Sequence, residues 1–300
     1  MEIKKVMIAG GGVLGSQVAW QTAFHGFMVT VYDAFEKGIE TSKSYHQEFA
    51  QLFLTQRGAS QQQVNDTLSR ISYTTNLQEA VDGVDMVSES VPEDMELKVK
   101  FWTELGKVAP ADTIFTTNTS STLPSFYAEA SGRPEKFLAL HFATGGIWDA
   151  NIAEVMGQAQ TKDDIYEQVV DFAKAIGMVA IPVKKENPGY VMNAVFIPFL
   201  LSGLDLVINE ISTPEYVDKT WVISTKSTYG PCAFMDIVGM GTVYHTLESL
   251  AVAHNDESFN KRAQWVKENF IDKGKMGMAT GEGFYKYPNP AYASPEFLKN

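Results

Sequence analysis

The stretch 5–33, KVMIAGGGVLGSQVAWQTAFHGFMVTVYD, leaves this chain few choices. An apolar run meets a glycine turn, a helical pattern follows, and a second apolar run ends in an acid. Gly10, Gly12 and Gly15 stand in G-x-G-x-x-G spacing around Val13 and Leu14. The first glycine permits a tight turn, and the second lets a pyrophosphate approach the backbone. The third lets helix and strand pack closely, with the phosphates at the helix N-terminus. Asp33, 18 residues after Gly15, is placed to accept hydrogen bonds from ribose hydroxyls. It would repel a 2′-phosphate, and Ala34-Phe35-Glu36 offers no arginine to receive one, so the stretch reads as a site for NAD rather than NADP. A glycine motif alone is weak; a strand before it, a helix after it and an acid beyond supply the context it requires. The alternative is a glycine turn in some other α/β protein.

Three hundred residues, 45% of them hydrophobic, suffice for one large or two ordinary domains with a sizeable core. A net charge of −12 argues against a nucleic-acid backbone or an anionic membrane surface as partner. The longest apolar stretch, 194–208, is interrupted by Pro198 and Asp205 and is too short to span a bilayer. Because MEIKK runs straight into the first strand, a signal peptide is not expected. A single cysteine, Cys232, excludes an internal disulfide, and the expected compartment is the cytoplasm. Between Pro231 and Ala233, Cys232 reads as a packed small hydrophobe.

The pattern predicts two helices over residues 35–70, separated near Arg57-Gly58 and projecting from a sheet. Strands are expected at 71–75, 84–89, 114–117, 137–142, 152–156 and 178–183. Helices are expected at 77–81, from Pro92 onward and at 163–176. This strand-then-helix rhythm is that of a mostly parallel sheet in an α/β fold. It stops at the breaker cluster Lys184-Lys185-Glu186-Asn187-Pro188-Gly189, beyond which the pattern is helical. The expected domains are residues 1–186 and 187–300. The second begins with a long apolar helix from Tyr190, kinked at Pro198, that must be covered on most sides; a second subunit would cover it.

Ser120, His141, Glu154 and Asn193 each sit at a strand end or a helix start, and in open α/β sheets ligands bind at strand ends. His141 follows Phe137-Leu138-Ala139-Leu140 and is either a general base or a satisfied core histidine. Glu154, inside Ile152-Ala153-Glu154-Val155-Met156, is either a buried carboxylate partnered by a histidinium or an edge-strand charge facing water. Ser120 competes with a helix-cap reading, and Asn193 with an exposed position near a helix start. His25, His46, His245 and His254 have no such setting and read as ordinary structural histidines. No metal is called for.

Segments spread along nearly the whole chain resemble the 3-hydroxyacyl-CoA dehydrogenase family. They are IAGGGVLGS, SESVPEDMELKVKFWTEL, TNTSS, LHF, NPGYVMN, YGPCAFMDIVG and GEGFYKYP. The resemblance implies a Rossmann-like domain followed by an all-helical dimerisation domain, and oxidation of an L-3-hydroxyacyl thioester by NAD. It implies His141 as catalytic base, Glu154 as its orienting carboxylate, and Ser120 and Asn193 as contacts to substrate oxygen. It also puts Glu93, Lys98 and Asn118 beside the glycine turn among the cofactor contacts. Where the family usually continues the histidine into Asn-Pro, this chain reads His141-Phe142-Ala143-Thr144-Gly145-Gly146, and Glu154 falls 13 residues after His141, one more than usual. The Gly145-Gly146 loop would absorb that extra residue. Family members place lysines on the projection to hold coenzyme A. Here residues 34–70 carry Lys37, Lys43, Arg57 and Arg70 against Glu36, Glu40, Glu48 and Asp66. Lys43 is the candidate phosphate contact, with a solvated helix-face charge as the alternative. Two other readings stay open: a dehydrogenase of a free 3-hydroxy acid or sugar acid, and a non-catalytic NAD-binding protein.

Overall fold

The computed structural model of the chain describes residues 2–143 and 146–299, in two units, Met1–Val191 and Met192–Asn300. In the first unit the strands are β1 (Lys5–Ala9), β2 (Met28–Tyr32), β3 (Ile71–Thr74), β4 (Met86–Glu89), β5 (Ile114–Thr117), β6 (Phe137–Phe142), β7 (Ile152–Gly157) and β8 (Val179–Val183). Between them run α1 (Val13–Phe24), α2 (Glu36–Gln56), α3 (Gln61–Ser69), α4 (Leu77–Ala80), α5 (Met95–Val108), α6 (Ser125–Ala128) and α7 (Asp163–Ala175). The strands form one sheet in the order β3-β2-β1-β4-β5-β6-β7-β8, parallel throughout except that β6 and β7 run antiparallel.

Helices on both faces explain why the strands are apolar runs rather than alternations. In β1, Val6 and Ile8 join one core with Val18, Trp20 and Phe53, while Met7 and Ala9 join another on the opposite face with Trp102, Leu105 and Tyr127. Strand order reverses between β1 and β4, so the crevice at their carboxyl ends is the topological switch point where ligands bind in such sheets.

The second unit holds α8 (Met192–Ile208), α9 (Pro214–Thr225), α10 (Pro231–Val238), α11 (Met240–His254) and α12 (Glu257–Asn269) around a core that includes Leu204, Cys232, Met235, Leu247 and Val266. Two buried acids organise it. Asp218 accepts from the amides of Cys232 and Ala233 at the start of α10, both at 2.8 Å, and from the Tyr285 hydroxyl at 2.9 Å. Asp236 accepts from the amides of Phe284 and Tyr285, each at 2.8 Å, and so fastens the GEGFYKYP segment. Among the described residues no helix is long and apolar enough to cross a membrane.

Some boundaries differ from the sequence pattern. Helix α5 opens at Met95 rather than Pro92, because Asp94 caps it by accepting from the Leu97 amide at 2.8 Å. Helix α8 starts at Met192 rather than Tyr190: Gly189 and Tyr190 both have positive φ, +78° and +56°, which no helix continues. His46 is buried, whereas His25, His245 and His254 are exposed. Along α8, Leu200 and Leu204 are buried, yet Val195 is 69% exposed.

Candidate active site

The glycine turn after β1 has the geometry a dinucleotide needs. Gly10 has φ +108°, and a Cβ on it would lie 2.4 Å from the Ser90 carbonyl oxygen. A Cβ on Gly15 would lie 2.1 Å from the Gly10 carbonyl oxygen, so helix and turn touch only because residue 15 is glycine. Around Gly12, by contrast, a Cβ would meet nothing within 4 Å among the described residues, which leaves its backbone open to a phosphate. The first turn of α1, Val13-Leu14-Gly15, carries no acid to compete for the amides that face that space. Half-buried Asp33 is held by the amides of Gly11 at 2.8 Å and Phe35 at 3.0 Å. Gly38 lies against this carboxylate, where a Cβ would come within 2.2 Å. These features fit NAD.

Across the switch point, Glu89 at the end of β4 is fully buried and accepts from the Thr117 hydroxyl at 2.7 Å and the Val91 amide at 2.9 Å. Lys98, reaching in from α5 and only 1% exposed, bridges Glu89 at 3.2 Å and Glu93 at 2.6 Å. Glu93 in turn accepts from the Thr119 hydroxyl, and from the Ser121 hydroxyl at 2.7 Å. Burial disfavours a charged Glu93, but Lys98 and the two hydroxyls outweigh it and hold its carboxyl at about 2. Burial likewise opposes charge on Lys98, and the two carboxylates overcome it and raise its pKa. For Glu89 burial dominates and pushes the carboxyl up. The result is a charged strut fixing the loop that carries Ser120. Ser120 itself is exposed and lies outside α6, so it is not that helix's cap. Asn118 joins three strand ends: its amide donates to the Glu89 carbonyl, its Oδ1 accepts from the Phe142 amide at 2.9 Å, and its Nδ2 donates to Ser90 at 3.2 Å.

His141 and Glu154 are partners in the β6–β7 register, directly opposite one another. Side chains so placed share a face, and His141 Nδ1 lies 3.0 Å from Glu154 Oε2, with both residues almost wholly buried. Beside an ionised Glu154, which can only accept, the ring proton sits on Nδ1 and Nε2 is left without one. Glu154 Oε1 accepts from the Val191 amide at 2.8 Å. The register brings the two residues together whatever the loop between them does; of that loop, Thr144 and Gly145 lie outside the described residues. Gly146 has φ +104°, Ile147 is buried, and Trp148 packs edge-on against Phe49 and Phe53 of α2.

Asn193 belongs to the second unit, half-buried in the first turn of α8. Lys43 is exposed on α2, its ammonium 5.3 Å from the centre of the Tyr73 ring, at a surface depression of ≈ 460 Å³ lined also by Ser44, Gln47 and Leu68.

Two further residues stand behind the site: His46, a satisfied structural histidine as its sequence setting suggested, and one that sequence reasoning overlooked. His46 donates from Nε2 to the Ser16 carbonyl at 2.9 Å and accepts at Nδ1 from the Tyr73 hydroxyl at 2.6 Å, tying α2 and β3 to the helix behind the glycine turn. Burial lowers its pKa to about 4, so it is neutral. Its signal was spacing: His46, Phe49, Ala50 and Phe53 share one face of α2. Tyr190 is the other; it stacks on His141, and its positive φ leaves no trace in sequence.

Comparison with known proteins is consistent along the chain. Residues 5–187 match the family model for the 3-hydroxyacyl-CoA dehydrogenase NAD binding domain, and residues 189–287 match that for the C-terminal domain. A probable 3-hydroxybutyryl-CoA dehydrogenase of Bacillus subtilis is 28% identical over 96% of this chain and 98% of its own length. The mitochondrial hydroxyacyl-coenzyme A dehydrogenase of Mus musculus is 31% identical over 95% and 91%. Among solved structures, a diketoreductase described as acting on dicarbonyl compounds superposes with TM-score 0.90 at 45% identity, over 96% of this chain and all of its own. The (S)-3-hydroxybutyryl-CoA dehydrogenase of Ralstonia eutropha gives TM-score 0.83 at 25% identity over the same shares.

Proposed function

The chain belongs to the 3-hydroxyacyl-CoA dehydrogenase family and is an NAD-dependent oxidoreductase, and from that premise we propose that it interconverts an L-3-hydroxyacyl thioester of the 3-hydroxybutyryl-CoA type and its 3-oxo counterpart. The observation that carries this reading is the His141–Glu154 pair at the carboxyl edge of the sheet whose switch point bears the glycine turn. In the oxidative direction His141 Nε2 takes the proton of the C3 hydroxyl, and Glu154 stabilises the imidazolium that results. Bound NAD supplies the hydride acceptor. Gly10, Gly12, Val13, Leu14 and Gly15 would hold its phosphates and Asp33 its adenosine ribose, with Glu93, Lys98 and Asn118 beside the nicotinamide half. Ser120 and Asn193 would bind the substrate oxygen, and the helical unit would form a homodimer.

The test follows NADH absorbance on mixing with acetoacetyl-CoA, for the parent protein and for His141→Gln. The reading expects a kcat lower by roughly 10²–10⁴ in the variant, with NADH still bound. Loss of NADH binding in that variant, or full activity, would refute the role of His141.

A second reading, a dicarbonyl substrate without coenzyme A, is favoured by the diketoreductase at 45% identity and by the absence of excess positive charge on residues 34–70. Comparing kcat/KM for acetoacetyl-CoA and for free acetoacetate at low and high salt separates the two. Equal efficiency on the free acid would replace the thioester assignment.

A further inference from the structure

Tyr190 occupies a conformation that a bulky side chain rarely takes, with φ +56° in the turn between β8 and α8. Strain of this kind persists only where the surroundings fix it. Here they do so at several atoms. The hydroxyl donates to the Thr119 carbonyl at 2.6 Å, and the Tyr190 carbonyl accepts from Asn187 Nδ2 at 2.7 Å. The phenol ring lies against the His141 imidazole, 4.6 Å between centroids and 16° from parallel. The next amide, that of Val191, is the one that donates to Glu154. Tyr190 is 1% exposed.

We propose that Tyr190 is a positioning residue for His141, holding the imidazole plane from one face and locking that plane to the carbonyl that precedes Ser120. The inference rests on the reading of His141 as the base. A single hydrogen bond from Nδ1 to Glu154 lets the ring swing about the line of that bond, and a stacked ring removes this freedom. The hydroxyl tether then keeps the base and the Ser120 loop in one frame, a placement in which an error of 1 Å can cost on the order of 10²-fold in rate. The electron-rich phenol face also favours the imidazolium over the neutral ring. The phenol is not itself an acid or base in the reaction. Burial first, and then the nearby carboxylates of Glu93, Glu154 and Glu89, push its pKa up, and its proton is committed to Thr119.

Three variants test this with acetoacetyl-CoA or acetoacetate, whichever the protein turns over: Tyr190→Phe, Tyr190→Leu and His141→Gln. Tyr190→Leu, which loses stack and tether, should lower kcat by about 10–100-fold with KM for NADH within about twofold. It should also move the alkaline limb of the reduction profile toward lower pH, since the imidazolium has lost a stabilising face. Tyr190→Phe, which keeps the stack, should recover most of kcat, falling short of the parent by about threefold, and leave the alkaline limb in place. A leucine variant with parental kcat and pH profile overturns the proposal. So does one whose kcat falls only in step with weaker NADH binding while the limb stays put, because that is loss of structure. If Tyr190→Leu does not fold, Tyr190→Phe decides: an intact kcat overturns the proposal, and a reduced kcat at unchanged KM for NADH supports it. An unimpaired His141→Gln removes the base reading and this inference with it. An impaired His141→Gln beside a parental Tyr190→Leu removes the inference alone.

Discussion

Replacing Glu154 by glutamine keeps its shape and removes its charge, and the hydrogen bonds it accepts from His141 and Val191 predict more damage than loss of charge alone. A hydrogen bond to a charged group contributes about 1.5–3 kcal/mol, which converts to a loss of roughly 10–150-fold if the variant kept the parent geometry. The geometry cannot be kept. Oε1 faces the Val191 amide, a backbone donor that cannot reverse, and Oε2 faces His141 Nδ1. A glutamine has one oxygen and one NH₂, so its oxygen stays on Val191 and its NH₂ meets Nδ1. The imidazole then relieves the clash of donors by shifting its proton to Nε2, the nitrogen that must accept from substrate. A tautomer inverted in this way in a hydrolase triad costs about 10⁴-fold. We therefore expect Glu154→Gln to lower kcat/KM by roughly 10³–10⁴ while far-UV circular dichroism and NADH binding, read by fluorescence titration, stay near parental. A loss smaller than about tenfold would refute the tautomer reasoning and the pairing behind it.

Other substitutions test other parts of the structure. Asp33→Ala should narrow a preference for NADH over NADPH, and equal use of both cofactors by the parent protein would refute the role given to Asp33. His46 titrates in the unfolded chain at 6.5 and in the folded chain at about 4, so the unfolded state binds more protons in that window. Its contribution is whole above pH 6.5 and is lost as pH falls toward 4, on the order of 3 kcal/mol, which thermal melts of the parent and His46→Gln across that range should show as a slope the variant lacks. Gly283→Ala would put a Cβ 2.0 Å from Asp236 Oδ1, and should destabilise the helical unit by about 1–3 kcal/mol in denaturant unfolding.

The parallel sheet was legible because each strand is a short apolar run between helical patterns, and the glycine turn because its spacing states a backbone geometry. Helix ends were less so. The start of α5 depended on whether Pro92 or Asp94 did the capping, and both occur in helix-opening positions. The start of α8 depended on the φ of Tyr190, a residue type that gives no hint of it. From the residues alone the candidate site was legible only as residue types at strand ends, and it was the family resemblance that added Glu93, Lys98 and Asn118. The strut from Glu89 through Lys98 to Glu93 assembles from β4, α5 and the segment between them, and a lysine amid MELKVKFW looks like any solvent-facing helix charge until the helix is docked. For Glu154, the sequence setting left a buried carboxylate and an edge-strand charge equally open, because what decides between them is strand register.

That register turns on the one reversal in the sheet. A parallel β7 would have required a crossover connection of a dozen or more residues after β6; running antiparallel, it returns through residues 143–151 and sets Ala153–Gly157 opposite residues of β6, Val155 against Leu140 and Glu154 against His141. Both members of the pair therefore stand on paired strands in the interior of the sheet, where their positions do not depend on the connecting loop. Because side chains alternate with period two, a shift of one residue would turn Glu154 to the opposite face. Two insertions of one glycine distinguish these cases. Placed beside exposed Ala150, the extra residue lengthens the loop and should leave kcat within several-fold of the parent, roughly the scatter expected for a tolerated loop insertion. Placed between Glu154 and Val155, with Val155–Gly157 still paired to β6, it moves Glu154 one position along and off the face of His141. It should then lower kcat by roughly 10² or more, with NADH still bound. Comparable losses from both insertions would mean that the loop, and not the strand register, places the carboxylate.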